Sequence, residues 1–60
     1  MKKGELVKIL KRNECWFMRN GGNHDIWYSD KTQRKFQVPR HAGEVKTGTM
    51  KKVLKDAGIK

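Results

Sequence analysis

The sequence predicts a small α+β domain of element order α-β-β-β-α, a three-stranded antiparallel sheet with two helices packed on one face. Three observations carry this. A segment near each end repeats its apolar residues at helical spacing. Between them lie three short runs rich in aromatic and β-branched residues. Short polar or glycine-rich connections separate those runs, which fits hairpins between neighbouring strands.

Residues 3–13 form the first helical pattern. Leu6, Val7, Ile9 and Leu10 recur on one side, while Lys2, Lys3, Lys8, Lys11 and Arg12 fall on the other. Glu5 in the first turn and Lys11-Arg12 in the last complement the helix dipole, and Asn13 is a suitable terminator.

Cys15-Trp16-Phe17-Met18-Arg19 reads as the first strand, with alternation too weak to assign its faces. Asn20-Gly21-Gly22-Asn23 then reads as a turn, because glycine reaches positive φ freely and asparagine tolerates it. The second strand covers 24–29. Period two gives His24, Ile26 and Tyr28 one face, and Asp25, Trp27 and Ser29 the other. After a polar connection, Arg34 to Val38 forms the third strand, with Phe36 and Val38 on one face and Lys35 and Gln37 on the other. Pro39 cannot donate to a ladder and ends it.

Residues 40–46 read as a loop carrying Arg40, His41, Gly43 and Lys46. Thr47-Gly48-Thr49 starts the second helix, with a threonine as N-cap. Met50, Val53, Leu54 and Ala57 make its apolar stripe, opposite Lys51, Lys52 and Lys55. Gly58 suits the C′ position, with Ile59 folding back as its hydrophobic contact.

Two helices can cover only one face of such a sheet. Trp27, Phe36 and Val38, with Cys15 and Phe17, are the better candidates for that face. His24, Ile26 and Tyr28 then remain on the open one, and a one-residue slip of register would reverse the assignment.

Residues 1–60 are expected to form a single domain, whose core supplies no more than about 3–5 kcal/mol of net stability. Fifteen Lys and Arg against six Asp and Glu give a net charge of +9, which points to a polyanionic partner, nucleic acid before an acidic protein. The single cysteine, Cys15, excludes an intramolecular disulfide and fits a reduced, cytoplasmic setting. No apolar run approaches the roughly 18–20 residues of a membrane span.

The chain has no P-loop, dinucleotide fingerprint, H-E-x-x-H or C-x-x-C motif. His24 is either a strand histidine without a role or a general acid/base. Zinc ligation is a poor reading, since only His41 could join it. An imidazole, with an ordinary pKa near about 6.5, suits removal of a proton from a ribose 2′-OH. Asp25, its neighbour on a strand, points to the opposite face and is assigned no catalytic role. Tyr28 either stacks on a base or is an ordinary strand aromatic. His41 is a general acid for the leaving oxygen or simply a solvated loop residue. The lysines would form a solvated face in any case. However, Met50 to Lys60 holds four lysines and one aspartate, an imbalance that suits a phosphate backbone.

Over its whole length the chain resembles the HicA toxins of bacterial HicA–HicB toxin–antitoxin systems. The matching residues are Leu6-Val7-Lys8-Ile9-Leu10, Arg19, Gly22-Asn23-His24, Val38-Pro39-Arg40-His41, Gly48-Thr49-Met50 and Leu54-Lys55-Asp56-Ala57-Gly58-Ile59. Members often carry Gly-Ser-His where this chain has Gly22-Asn23-His24, and a neutral or basic residue where it has Asp25. The resemblance implies a fold similar to double-stranded-RNA-binding domains. It also implies metal-independent, cofactor-free cleavage of mRNA with His24 catalytic, inhibiting translation and growth, and a HicB-like antitoxin that covers the His24 region. Gly22, Asn23, Tyr28, Arg40, His41, Lys46 and Lys51 are the residues expected to bind RNA. A non-catalytic RNA-binding module of the same fold is the alternative.

Overall fold

A computed structural model describes residues 1–40 and 43–59, in the order α1 (Lys3–Arg12), β1 (Cys15–Gly21), β2 (His24–Ser29), β3 (Arg34–Pro39) and α2 (Thr47–Asp56). The α-β-β-β-α order and the open antiparallel sheet are those expected, and they are consistent with a fold like that of double-stranded-RNA-binding domains.

Helix α1 buries Leu6 and Leu10, one turn apart, and ends at Asn13. The Asn13 backbone N–H donates to the Leu10 carbonyl at 3.0 Å, and its side-chain amide donates to the Ile9 carbonyl at 2.8 Å. Glu14 follows at φ 62°, a left-handed conformation that turns the chain into β1.

The sheet order is β1-β2-β3, so β1 and β3 are both edges. Cys15, Trp16 and Phe17 pair with Ser29, Tyr28 and Trp27, but Arg19, Asn20 and Gly21 pair with Ile26, Asp25 and His24. Met18 is the extra residue of a β-bulge between the two halves. The bulge inverts the alternation of β1, so Phe17 and Arg19 face opposite sides although two residues apart. With the pairing of β2 to β3, the face turned from the helices carries three cross-strand rows. These are Trp16–Tyr28–Lys35, Arg19–Ile26–Gln37 and Gly21–His24–Pro39.

The other face holds Cys15, Trp27, Phe36 and Val38, buried against Leu6 and Leu10 of α1, Val53 of α2 and Ala57 at its C-cap. Val45 joins this core, which the sequence did not reveal. Its backbone N–H donates to the Met1 carbonyl at 2.7 Å, beside a bridge between Lys2 and Glu44. Phe17 departs from expectation. It lies on the helix side, edge-on to Trp27 with ring centroids 6.3 Å apart, yet is 47% exposed because β1 is an edge that two ten-residue helices do not cover.

Two boundaries also differ. Asn20 and Gly21 belong to β1 rather than to the turn. The N-cap of α2 is Lys46, with no side-chain cap bond, so neither threonine serves. The C-terminus of α2 is as read. Gly58 takes φ 79°, and the Ile59 N–H donates to the Leu54 carbonyl at 2.8 Å, a Schellman closure. Buried Ser29 on β2 donates its hydroxyl to the Ala57 carbonyl at 2.7 Å, which pins this end of α2 to the sheet.

Candidate active site

The β1–β2 hairpin has a two-residue loop, Gly22-Asn23, with Gly21 and His24 as its closing pair. Gly22 has φ 70° and Asn23 no positive φ, the pattern of a type II′ turn with glycine at its first central position. Gly21 is required for another reason. A Cβ there would meet the Ile26 side chain at 2.9 and 3.0 Å and the His24 carbonyl oxygen at 3.2 Å.

Arg40, just after β3, ties this turn down. Its guanidinium donates to the Gly22 carbonyl at 3.2 Å, and its backbone N–H donates to the Asn23 carbonyl at 3.4 Å. The Arg40 carbonyl in turn accepts from the Lys3 ammonium of α1. Lys3 also meets the Asp25 carboxylate at 3.2 Å, with both side chains largely buried. Asp25 is therefore engaged on the helix side of β2, facing away from His24, as strand alternation requires. Turn, third strand and first helix are thus linked through Lys3 and Arg40.

His24 itself is exposed at the first position of β2. It lines a cleft of about 260 Å³ between the rim of the sheet at β3 and helix α2, together with Gln37, Pro39, Thr49, Lys52 and Asp56. Phe36 and Val53 form its floor side toward the core. His24 thus shares this cleft, around the β3 rim, with a lysine, a threonine and an aspartate of another element. Such a site can hold an anion near a proton acceptor.

Of the other residues expected to bind RNA, Gly22 and Asn23 make the turn before His24, and Arg40 holds that turn. Tyr28 lies on the same face as His24, against Trp16 with ring centroids 5.0 Å apart, and its hydroxyl donates to Gln33 at 2.9 Å. Lys46 and Lys51 are exposed but do not line the cleft. His41 lies outside the described residues. Sequence reasoning missed Thr49 and Lys52, one helical turn apart on α2. Their spacing put them on a common side of the helix, but nothing in the pattern turned that side toward His24.

Cys15 is a buried thiol away from the cleft, its Sγ donating to the Asn13 carbonyl at 3.5 Å. Burial pushes its pKa up, partly offset by the Ser29 hydrogen bond and the Lys31 charge, with Glu14 adding to the rise. That is the opposite of an activated nucleophile. Among the described residues, no three of His, Cys, Asp and Glu converge to hold a metal ion, and no helix is long and apolar enough to cross a membrane.

A protein-family model described as "HicA toxin of bacterial toxin-antitoxin" matches residues 4–59, nearly the whole chain. Comparison with curated proteins and with solved structures returns no match.

Proposed function

Because the chain belongs to the HicA toxin family of bacterial toxin–antitoxin systems, we propose that it is an endoribonuclease that cleaves mRNA with His24 as acid/base, without metal or cofactor, and so inhibits translation and growth. The observation that carries this reading is the exposed His24, held at a braced strand start and lining one cleft with Lys52 and Thr49.

In this mechanism the nucleophile belongs to the RNA, so no metal is needed to activate a water. His24 accepts the proton of a ribose 2′-OH. The 2′-oxygen forms a bond to the adjacent phosphorus, and the bond from phosphorus to the 5′-oxygen breaks. A 2′,3′-cyclic phosphate and a 5′-hydroxyl result, the leaving oxygen taking a proton from the imidazolium or from solvent. Proton transfer of this kind contributes on the order of 10²–10⁴-fold. The Lys52 ammonium suits the charge that builds on the phosphorane oxygens. Gly22, Asn23 and Arg40 act by holding the turn that aims His24. Lys46 and Lys51 add to the cationic surface that attracts the backbone, whose grip weakens as salt rises. The partner that silences the toxin is a HicB-like antitoxin seated over the His24 cleft, in the cytoplasm.

The test is His24→Ala, assayed on single-stranded RNA in the presence of a chelator and for growth inhibition in cells. The variant is expected to fold and bind RNA while cleavage and toxicity vanish. Intact RNA after incubation with the wild type, or cleavage by the variant, would leave a non-catalytic RNA-binding module instead.

A further inference from the structure

The three rows of the open sheet face form one surface whose chemistry goes beyond the cleft. Trp16 is 48% exposed there, although the same chain buries Trp27 to 3%. A domain with so little core gains nothing by leaving its other indole in water, unless that indole meets a partner. Trp16 and Tyr28 form a cross-strand pair with rings tilted 40°. Lys35 completes their row, and the bulge at Met18 brings Arg19 into the next one. None of the nine positions in the three rows is a carboxylate. His24 stands at the far end of this face, four residues from Tyr28 along β2, about 13 Å at the usual strand rise.

We propose that the open sheet face is a stacking platform for single-stranded RNA, on which Trp16 and Tyr28 hold an unpaired base while Arg19 and Lys35 neutralise the backbone leading to His24. The proposal deepens the nuclease reading and rests on it for what happens at His24. Its substrate class follows from the chemistry of the face. Aromatic side chains stack on bases only where those bases are unpaired, whereas an A-form duplex hides its base faces and is met through phosphates and 2′-hydroxyls. The acid-free face complements a polyanion.

The test separates binding from cleavage. The probe is a single-stranded 2′-O-methyl oligoribonucleotide of about 8–12 nucleotides, within the usual site sizes of such binders, which cannot supply the nucleophile. With the wild-type protein, binding is expected to quench the tryptophan fluorescence of exposed Trp16, and a duplex of the same sequence to compete weakly. Trp16→Ala is expected to loosen Kd by about 10-fold or more, the usual loss when one stacking aromatic is removed, and Trp16→Phe to restore most of it. On cleavable RNA, Trp16→Ala is expected to raise KM and leave kcat unchanged. Saturable binding without quenching overturns the platform, even if Trp16→Ala proves too unstable to measure. So does a wild-type Kd in folded Trp16→Ala and Tyr28→Leu, or equal competition by the duplex. Loss of antitoxin binding with RNA binding intact would make the face a protein interface and overturn it too. Cleavage surviving in His24→Ala would refute the nuclease reading alone, since the binding assay does not depend on it.

Discussion

Replacing Gly22 by alanine isolates the backbone conformation that precedes His24. At φ 70° the residue is left-handed, and a Cβ built there meets nothing within 4 Å. The whole cost is therefore conformational, roughly 1–2 kcal/mol for an L-residue in this region. In a domain of this size each kcal/mol lowers Tm by roughly 4–8 °C, so a fall of roughly 4–16 °C is expected. A total stability of about 3–5 kcal/mol still leaves the variant folded. Gly22→Asn is expected to lose less, because asparagine is among the residues that take the positive-φ positions of such primed turns. Gly21→Ala is the contrasting case, where the penalty comes from contact with Ile26 and the His24 carbonyl and not from φ. There asparagine should be no better than alanine. Circular-dichroism melts of the four variants decide the matter. Gly22→Ala melting at or above the wild type would refute the reasoning, since substitution at a site already compatible with alanine stabilises by about 0.4–1 kcal/mol.

Two further outcomes are expected. Lys52→Ala should lower kcat for RNA cleavage by about 10-fold, less than the loss of a buried oxyanion donor because Lys52 is exposed, while Lys51→Ala leaves kcat unchanged; equal effects would mean that only general cationic attraction is at work. Cys15 gives a pH dependence of stability. Its thiol is held above its ordinary pKa by burial, so the folded state keeps the proton when the unfolded chain, ionising near about 8.5, releases it. Its contribution is full below the unfolded pKa and is lost as pH rises toward the folded one. Tm should thus fall more steeply above pH 8.5 in the wild type than in Cys15→Ala, and parallel curves would contradict the assignment.

Much of the architecture was legible because its signals are local. Leu6 and Leu10, or Val53 and Ala57, mark a helix face by spacing alone, and Gly58 with Ile59 forms the closure that its residue types favour. The period-two split of β2 also held, with Asp25, Trp27 and Ser29 toward the helices and His24, Ile26 and Tyr28 away from them. The errors lie where several residues offer the same local preference. Asn20, Gly21, Gly22 and Asn23 all favour turns, and which two become the loop depends on the pairing of Asn20 with Asp25 and Gly21 with His24. Lys51 and Lys52 both lie on the polar side of α2, and only its docking beside β3 turns Lys52 toward the cleft. Ser29 reads as a strand-end polar residue until the carbonyl of Ala57 is brought to it.

By itself, the sequence determined the two amphipathic helices, the start of β2 at His24, the cationic character of the surface and the family. These depend on spacing and composition within a few residues. The tertiary structure decided what surrounds His24. It placed Lys52 and Thr49 in the cleft that His24 lines, bound Arg40 to the glycine turn, and moved Arg19 onto the open face through the bulge at Met18. Alternation carries no record of a skipped residue. The position of the bulge is set by satisfying two distant requirements at once, Cys15 buried against the helices at one end of β1 and Gly21 closing the hairpin on His24 at the other.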